Sequence, residues 1–309
     1  MTMTDHVKDY VARKRALGLS FREQERVLMR YAEHADARGD RVVRAGSVLD
    51  WAGTAASVGE AQRRLGIIRG LAVFLHAGDD RHEVPHRGAL GRPRKHRPPP
   101  RIPSPEEIRK IMKEALSLPP AGSLTPLTFH HVIGLMACTG LRRSEATGLQ
   151  LGDLGPDGLL VRNAKNRRDR LVLLHESARR ALDDYLVARK RRGGPGEHLF
   201  VLASGRPVRP DYLTRTFVLL ARKTGVRGGP GEPGPRLHDL RHGFAARALE
   251  GSLSSSRRDV GRHMLALSTT LGHTRVTNTY YYLEATPVLM RQVSEAAEKL
   301  HMTTGKERS

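Results

Sequence analysis

The chain of 309 residues is long enough for two ordinary domains, each with a core of its own. Its 53 Lys and Arg residues against 32 Asp and Glu residues give a formal net charge of +21, which favours a nucleic-acid partner over an ordinary basic protein. The single cysteine, Cys138, excludes an intramolecular disulfide and a multi-cysteine metal site.

The N-terminal residues 1–80 have the pattern of a small helical bundle. They contain no apolar run that would serve as a signal peptide, and no stretch of the whole chain is apolar enough for a membrane span, so a soluble cytoplasmic protein is expected. The spacing Ser20 to Glu23 predicts a capping box, and Ser57 to Glu60 repeats it, each before apolar residues at helical spacing. The stretch "SVLDWAG" between them predicts a shorter helix.

Residues 81–102 are predicted to be a basic linker. Residues 81–101 hold seven Lys or Arg, one acid and five prolines, and proline removes backbone donors and favours extended chain. A solvated linker would suffice to explain this composition. A strap that lies along DNA phosphates is the favoured alternative, with its contacts expected from Arg94, Lys95 and Arg97.

The second domain, residues 103–309, is predicted to be mixed and mostly helical. Ser104, Pro105 and Glu107 form a capping box with proline at the first helical position. The segments "LLVRNA" and "RLVLLH" predict a β-hairpin, and helices follow over "ESARRALDDYLVARKRR", "PDYLTRTFVLLARKT", "LHDLRHGFAARALE" and "TPVLMRQVSEAAEKLH". The fold class is therefore mainly α with a small β-sheet, in two domains.

Two segments place charged side chains where chemistry is possible. In "CTGLRRSEATGL", Glu145 lies three residues after Arg142 and can brace its guanidinium or a nearby backbone group, although such a pair is often a surface ion pair. In "LHDLRHGF", His238 and Arg241 share a helical face. His238 and His242 also have the spacing of zinc ligands, which leaves a zinc hydrolase as an alternative, disfavoured by the adjacent arginine and the net charge.

A third segment, "TNTYYYLEATP", places three tyrosines in a row in a chain that is only 5% aromatic. On a helix, Tyr280 and Tyr281 each join an apolar stripe, whereas Tyr282 lies on a polar ridge with Asn278 and Thr279. This pattern favours Tyr282 as the tyrosine that reacts and the other two as packing residues.

In this order, "TGLRRSE", a lysine-bearing hairpin, "HDLRH" and "LGH" followed by a tyrosine resemble the tyrosine recombinase, or phage integrase, family over roughly residues 103–300. The resemblance implies a C-shaped DNA clamp made of a helical, SAM-like core-binding domain and an α+β catalytic domain. The N-terminal helices fit the core-binding domain by position and class only. Gly243 departs from the family pattern, in which Thr or Ser commonly follows "HDLRH".

The resemblance also implies a role for each matching residue. Arg142 and Arg241 would bind the scissile phosphate, with His273 as a third contact. Lys165 would protonate the leaving 5′-oxygen, and His238 would act as general acid and base. Glu145 would steady the site, and the nucleophile, nine positions after His273, would be Tyr282.

Elementary chemistry agrees with this set. Two guanidinium forks match the charge that develops on a phosphodiester, a phenol of pKa near ~10 needs a base, and a lysine is a better acid than an arginine. The scheme requires no cofactor and no metal. The expected function is a site-specific recombinase, in particular a bacterial mobile-element integrase, that acts at the nucleoid on double-stranded DNA sites. The resemblance implies a tetramer on two duplexes, with the C-terminal helix docking on a neighbour or on its own subunit. A type IB-like topoisomerase and a non-catalytic DNA-binding regulator are the alternatives.

Overall fold

The computed structural model describes residues 1–91, 100–162, 169–192, 196–250 and 257–272, and for residues 257–261 and 263 the backbone only. It divides into two compact units, Met1–Arg97 and Pro98–Ser309. The fold is mostly helical with one small antiparallel sheet, as the sequence predicts. No helix in the described part of the chain is long and apolar enough to cross a bilayer. The residue limits predicted for the two domains and for the linker stay predictions.

The first unit is a bundle of helices around one apolar core. Its helices are α1 (Met3–Ala16), α2 (Arg22–Ala37), α3 (Ala45–Gly53) and α4 (Val58–His76). The core includes Val7, Leu28, Tyr31, Leu65 and Ile68, each buried. Residues 81–91, the described part of the predicted linker, form neither helix nor strand, and Val84 and Leu90 pack against this core.

The helix starts of the first unit test two sequence predictions. Ser57 caps α4 as predicted, because its hydroxyl accepts a hydrogen bond from the backbone N–H of Glu60 at 3.3 Å. The capping box predicted at Ser20 is wrong. The N-cap of α2 is Phe21, in the left-handed region at φ 48°, without a side-chain cap. The Phe21 ring packs edge-on against Tyr10 at 5.7 Å, so an aromatic contact takes precedence over local capping.

The second unit contains seven helices and the sheet within the described residues. The helices are α5 (Pro105–Ala115), α6 (Leu124–Thr139), α7 (Arg143–Gly148), α8 (Glu176–Arg192), α9 (Pro210–Lys223), α10 (Asp239–Glu250) and α11 (Arg257–Leu271). The capping box predicted at Ser104 is confirmed: its hydroxyl and the Glu107 carboxylate each accept the other residue's backbone N–H. The predicted C-terminal helix lies outside the described residues.

The predicted hairpin is confirmed as two strands of a three-stranded antiparallel sheet. The strands are β1 (Leu154–Gly155), β2 (Gly158–Val161) and β3 (Arg170–Leu173), in the order β1-β2-β3. Leu159 pairs with Val172, both buried, and Val161 pairs with Arg170. Because side chains alternate along a strand, Arg170 lies on the same face as Val172, toward the core.

Helix α6 is central to the second unit, with α5, α8 and α10 packed around it. It ends at Gly140, which adopts φ 66°. A Cβ at Gly140 would lie 2.6 Å from Cδ1 of Phe244 in α10 and 2.9 Å from Cδ2 of Leu271 in α11. The ends of α6 and α11 therefore meet beside α10, and this is where the candidate site lies.

Candidate active site

Arg142 is held at the start of α7 by Glu145. One guanidinium N–H, at Nη1, donates to Oε1 of Glu145 at 2.6 Å, and the backbone N–H of Arg142 donates to Oε2 at 2.9 Å. The bracing that the spacing predicts is thus present in both of its forms. The side chain of Arg142 is 23% exposed, so solvent still reaches a guanidinium whose direction is set by a nearly buried carboxylate.

A third arginine, Arg170 of β3, also binds Glu145. Its Nη1 and Nη2 donate to Oε1 and Oε2 at 3.1 and 2.7 Å, a bidentate pair in which the Arg170 side chain is 9% exposed. Burial alone would raise the pKa of Glu145, but the hydrogen bonds from Arg170 and then from Arg142 outweigh it and lower the pKa to about 2. Glu145 is therefore an anion at any pH at which the protein would work.

Arg241 is the most deeply buried of the three arginines, at 2% exposure. Its Nη1 donates to the carbonyl of Gly140 at 2.7 Å, and its Nη2 donates to the carbonyl of Leu271 at 2.6 Å. A buried guanidinium needs such acceptors, because a charge without partners is costly to remove from water. These two bonds tie the end of α6 to the end of α11.

The last carbonyls of α11 receive all three guanidinium groups. Thr270 accepts from Nε of Arg170 at 2.8 Å, Leu271 accepts from Arg241, and Gly272 accepts from Nη2 of Arg142 at 3.1 Å. The final carbonyls of a helix have no partner within the helix and carry its partial negative charge, so cations bind there. Three arginines from distant parts of the sequence thereby converge immediately before residue 273.

His238 lies directly before α10, at the same end of the helix as Arg241. Its carbonyl accepts the backbone N–H of Arg241 at 3.1 Å, and its ring centroid lies 4.8 Å from that of His242 in an edge-on arrangement. His238 is exposed, whereas His242 is buried. Asp239, at the first position of α10, is buried and pairs with Arg236 at 3.1 Å, which fixes the turn that carries His238.

The structure therefore places four of the predicted site residues in one region: Arg142, Glu145, His238 and Arg241. The others lie outside the described residues: Arg94, Lys95, Arg97, Lys165, His273 and Tyr282. Sequence reasoning missed Arg170. Its signal was the two-residue alternation of "RLVLL", which puts an arginine on the buried face of a strand, where it needs a partner.

The zinc alternative finds no ligand set in the part of the chain that the structure describes. No three His, Cys, Asp or Glu side chains are grouped there so as to hold a metal ion. At His238 and His242, the carboxylate of Asp239 is instead paired with Arg236, and its Oδ1 lies 3.9 Å from Nε2 of His242.

Comparison with known proteins gives one consistent result. Residues 104–287 match the model of the phage integrase family. The chain is 33% identical over 309 residues to a putative integrase/recombinase, y4rB, of Sinorhizobium fredii, covering 96% of this chain and 98% of that protein. It is 29% identical over 256 residues to the tyrosine recombinase XerD of Rhizobium meliloti, covering 81% and 76%.

A solved structure shows the same fold at low sequence identity. The Tn1549 transposon integrase, in complex with transposon right end DNA, aligns with a TM-score of 0.66 at 17% identity, covering 96% of this chain and 99% of that one. The matched segment contains the three converging arginines, and it extends over Lys165, His273 and Tyr282. The chain belongs to the phage integrase family.

Proposed function

We propose that this protein is a tyrosine-type site-specific DNA recombinase, which cuts and rejoins DNA strands through a 3′-phosphotyrosine intermediate. The observation that carries the proposal is the convergence of Arg142 and Arg241 on the consecutive carbonyls of Gly272 and Leu271. Two planar guanidinium groups match the two non-bridging oxygens of a phosphodiester under attack. Each charge-assisted contact of this kind contributes roughly 1.5–3 kcal/mol.

The proposed reaction assigns one step to each remaining site residue. The phenolic oxygen of Tyr282 attacks phosphorus as its proton passes to His238, and the bond from phosphorus to the 5′-oxygen breaks. Lys165 donates a proton to that oxygen, which leaves as a 5′-hydroxyl, while His273 contacts the phosphate. The phosphotyrosine ester conserves the energy of the broken bond, so a 5′-hydroxyl of a partner strand can reverse the step and exchange the strands.

Strand exchange sets the proposed assembly. Two duplexes contain four strands, and each strand needs one tyrosine, so four protomers act on two recombination sites. We place the protein at the nucleoid, where its DNA is. The transposon-end DNA bound by the structurally similar Tn1549 integrase supports a mobile-element role in particular.

The proposed basic linker supplies further phosphate contacts. Seven Lys or Arg residues in residues 81–101 neutralise phosphates without reading base edges, and Arg94, Lys95 and Arg97 lie in the part of this stretch richest in charge.

Covalent trapping tests the function. Fragments of the host genome that the protein protects from nuclease identify its site, and a duplex of that site with a nick beside the cleavage position loses its 5′-hydroxyl fragment after cutting. Wild-type protein is expected to remain covalently bound in EDTA. Tyr282→Phe is expected to form no adduct, and the matched control Tyr281→Phe to form it normally.

Two results would count against the proposal. Absence of an adduct with wild-type protein would refute the recombinase chemistry, and an adduct that survives Tyr282→Phe but not Tyr281→Phe would refute the assignment of the nucleophile. Exchange between two labelled duplexes, as opposed to relaxation of one supercoiled circle, separates a recombinase from a type IB-like topoisomerase.

A further inference from the structure

Arg170 connects three separate elements of the site through one buried guanidinium. It stands at the start of β3, binds Glu145 of α7 with both terminal nitrogens and binds Thr270 of α11 through Nε. With the side chain 9% exposed, this guanidinium is directed into the protein. Its contacts therefore make it a support of other site residues and not a ligand of DNA.

The first support acts on Arg142. Glu145 accepts bonds from both arginines, and Arg170 and Arg142 meet at the same Oε1. Without Arg170, the carboxylate loses the bidentate partner that fixes its plane, and one rigid attachment of Arg142 becomes free to rotate. The orientation of Arg142 thus depends on a residue that does not touch it through any hydrogen bond recorded between the two.

The second support acts on the end of α11. Beyond the bond to Thr270, the Arg170 guanidinium lies against Gly272, because a Cβ at that glycine would be 3.1 Å from Nη1 and 3.3 Å from Cζ. Gly272 adopts φ 63°, and its N–H closes the helix on the carbonyl of Thr269 at 2.9 Å. The place where the chain leaves α11 toward residue 273 is therefore set partly by Arg170.

We propose that Arg170 is a positioning residue for DNA cleavage: by binding Glu145 and the end of α11 together, it aligns Arg142 and residue 273 on one phosphate. This inference rests on the proposed recombinase function, and it adds a residue that makes no contact with the substrate. A displacement of about 1 Å in such a site reduces the rate by about 100-fold.

The test compares Arg170→Met and Arg170→Lys with Arg162→Met. Arg162 follows β2 in the same sheet and pairs with another buried carboxylate, Asp153, at 2.6 Å, while its own side chain is 54% exposed. Both methionine variants leave a buried carboxylate without its arginine, so both lose stability. Only the Arg170 variants alter contacts to Glu145 and α11.

Two measurements separate positioning from stability. With saturating nicked DNA, well below the melting temperature, the rate of covalent trapping is expected to fall about 100-fold in Arg170→Met with Kd for DNA changed less than about threefold. Arg170→Lys, which keeps the charge without the fork, is expected to recover part of the rate. Amide hydrogen exchange at residues 268–272 is expected to accelerate in Arg170→Met but not in Arg162→Met.

A wild-type trapping rate in Arg170→Met, an equal loss in Arg162→Met, or unchanged exchange at the end of α11 would overturn the inference. If wild-type protein forms no adduct at all, the recombinase function fails. The exchange comparison then still decides whether Arg170 anchors α11, because it needs no DNA.

Discussion

The charge of Glu145 is expected to stabilise the protein in a way that depends on pH, and Glu145→Gln tests this. The substitution keeps the size of the side chain but removes the anion that binds Arg142 and Arg170. Its side chain is 7% exposed, and although burial opposes ionisation, hydrogen bonds from the two arginines lower its pKa to about 2 from an ordinary value of 4.5.

The sign and the size follow from these two values. Because the pKa is lower in the folded protein, the contribution of Glu145 to stability is complete above about pH 4.5, is lost as the pH falls and is absent below about pH 2. At about 1.36 kcal/mol for each pH unit between 4.5 and about 2, the full contribution is about 3 kcal/mol. Roughly 2 kcal/mol of it is lost between pH 7 and pH 3.

Urea unfolding followed by far-ultraviolet circular dichroism at pH 7, 5, 4 and 3 measures this contribution. The difference in free energy of unfolding between wild type and Glu145→Gln is expected to shrink by about 2 kcal/mol over that range. The fluorescence of Trp51, the sole tryptophan, reports the first unit and serves as an internal reference. The control Glu176→Gln alters a carboxylate that is 77% exposed and 3.6 Å from Arg180, a pair that contributes at most about 1 kcal/mol. A difference that stays constant from pH 7 to pH 3 would refute the buried network.

Two further predictions concern the junction of helices and the linker. Gly140→Ala is expected to destabilise the protein by about 3 kcal/mol, since left-handed backbone strain adds to a contact 2.6 Å from Phe244, whereas Gly122→Ala, with φ 71° and nothing within 4 Å, is expected to lose about 1 kcal/mol in the same unfolding assay. Equal losses would mean that α6, α10 and α11 do not meet closely at Gly140. Replacing three linker residues with Ala is expected to flatten the log–log salt dependence of DNA affinity by about 2.7, or ~0.9 for each phosphate contact, and an unchanged slope would make the linker a solvated spacer; the residues are Arg94, Lys95 and Arg97.

Local sequence signals were reliable where both partners of an interaction are close in the chain. The capping box of Ser104 and Glu107 spans three residues, and the strands β2 and β3 are joined directly, so each could be predicted without knowledge of the tertiary fold. The same signal failed at Ser20, because the competing interaction of Phe21 is with Tyr10 in another helix. A capping pattern contains no information about such a contact.

The site shows the same division. The bracing of Arg142 by Glu145 is local and was predicted, whereas the acceptors of Arg241 are carbonyls 101 and 30 residues away, and those of Arg170 are 25 and 100 residues away. A backbone carbonyl is present at every residue, so its use as a partner leaves no mark in the sequence. The role of Arg170 is therefore visible only when β3 and α11 are placed side by side.

The choice of acceptors has a consequence for substrate binding. Arg142 and Arg170 share one carboxylate, and the remaining recorded bonds of the three arginines go to uncharged carbonyls at the ends of α6 and α11. A carbonyl satisfies the hydrogen-bonding need of a buried guanidinium without cancelling its formal charge, whereas a carboxylate does both. If each arginine had its own carboxylate, the group would be neutral and would offer a phosphodiester little attraction. Two cations on one anion, with a third held by carbonyls, leave the site positive while each guanidinium remains fixed in direction.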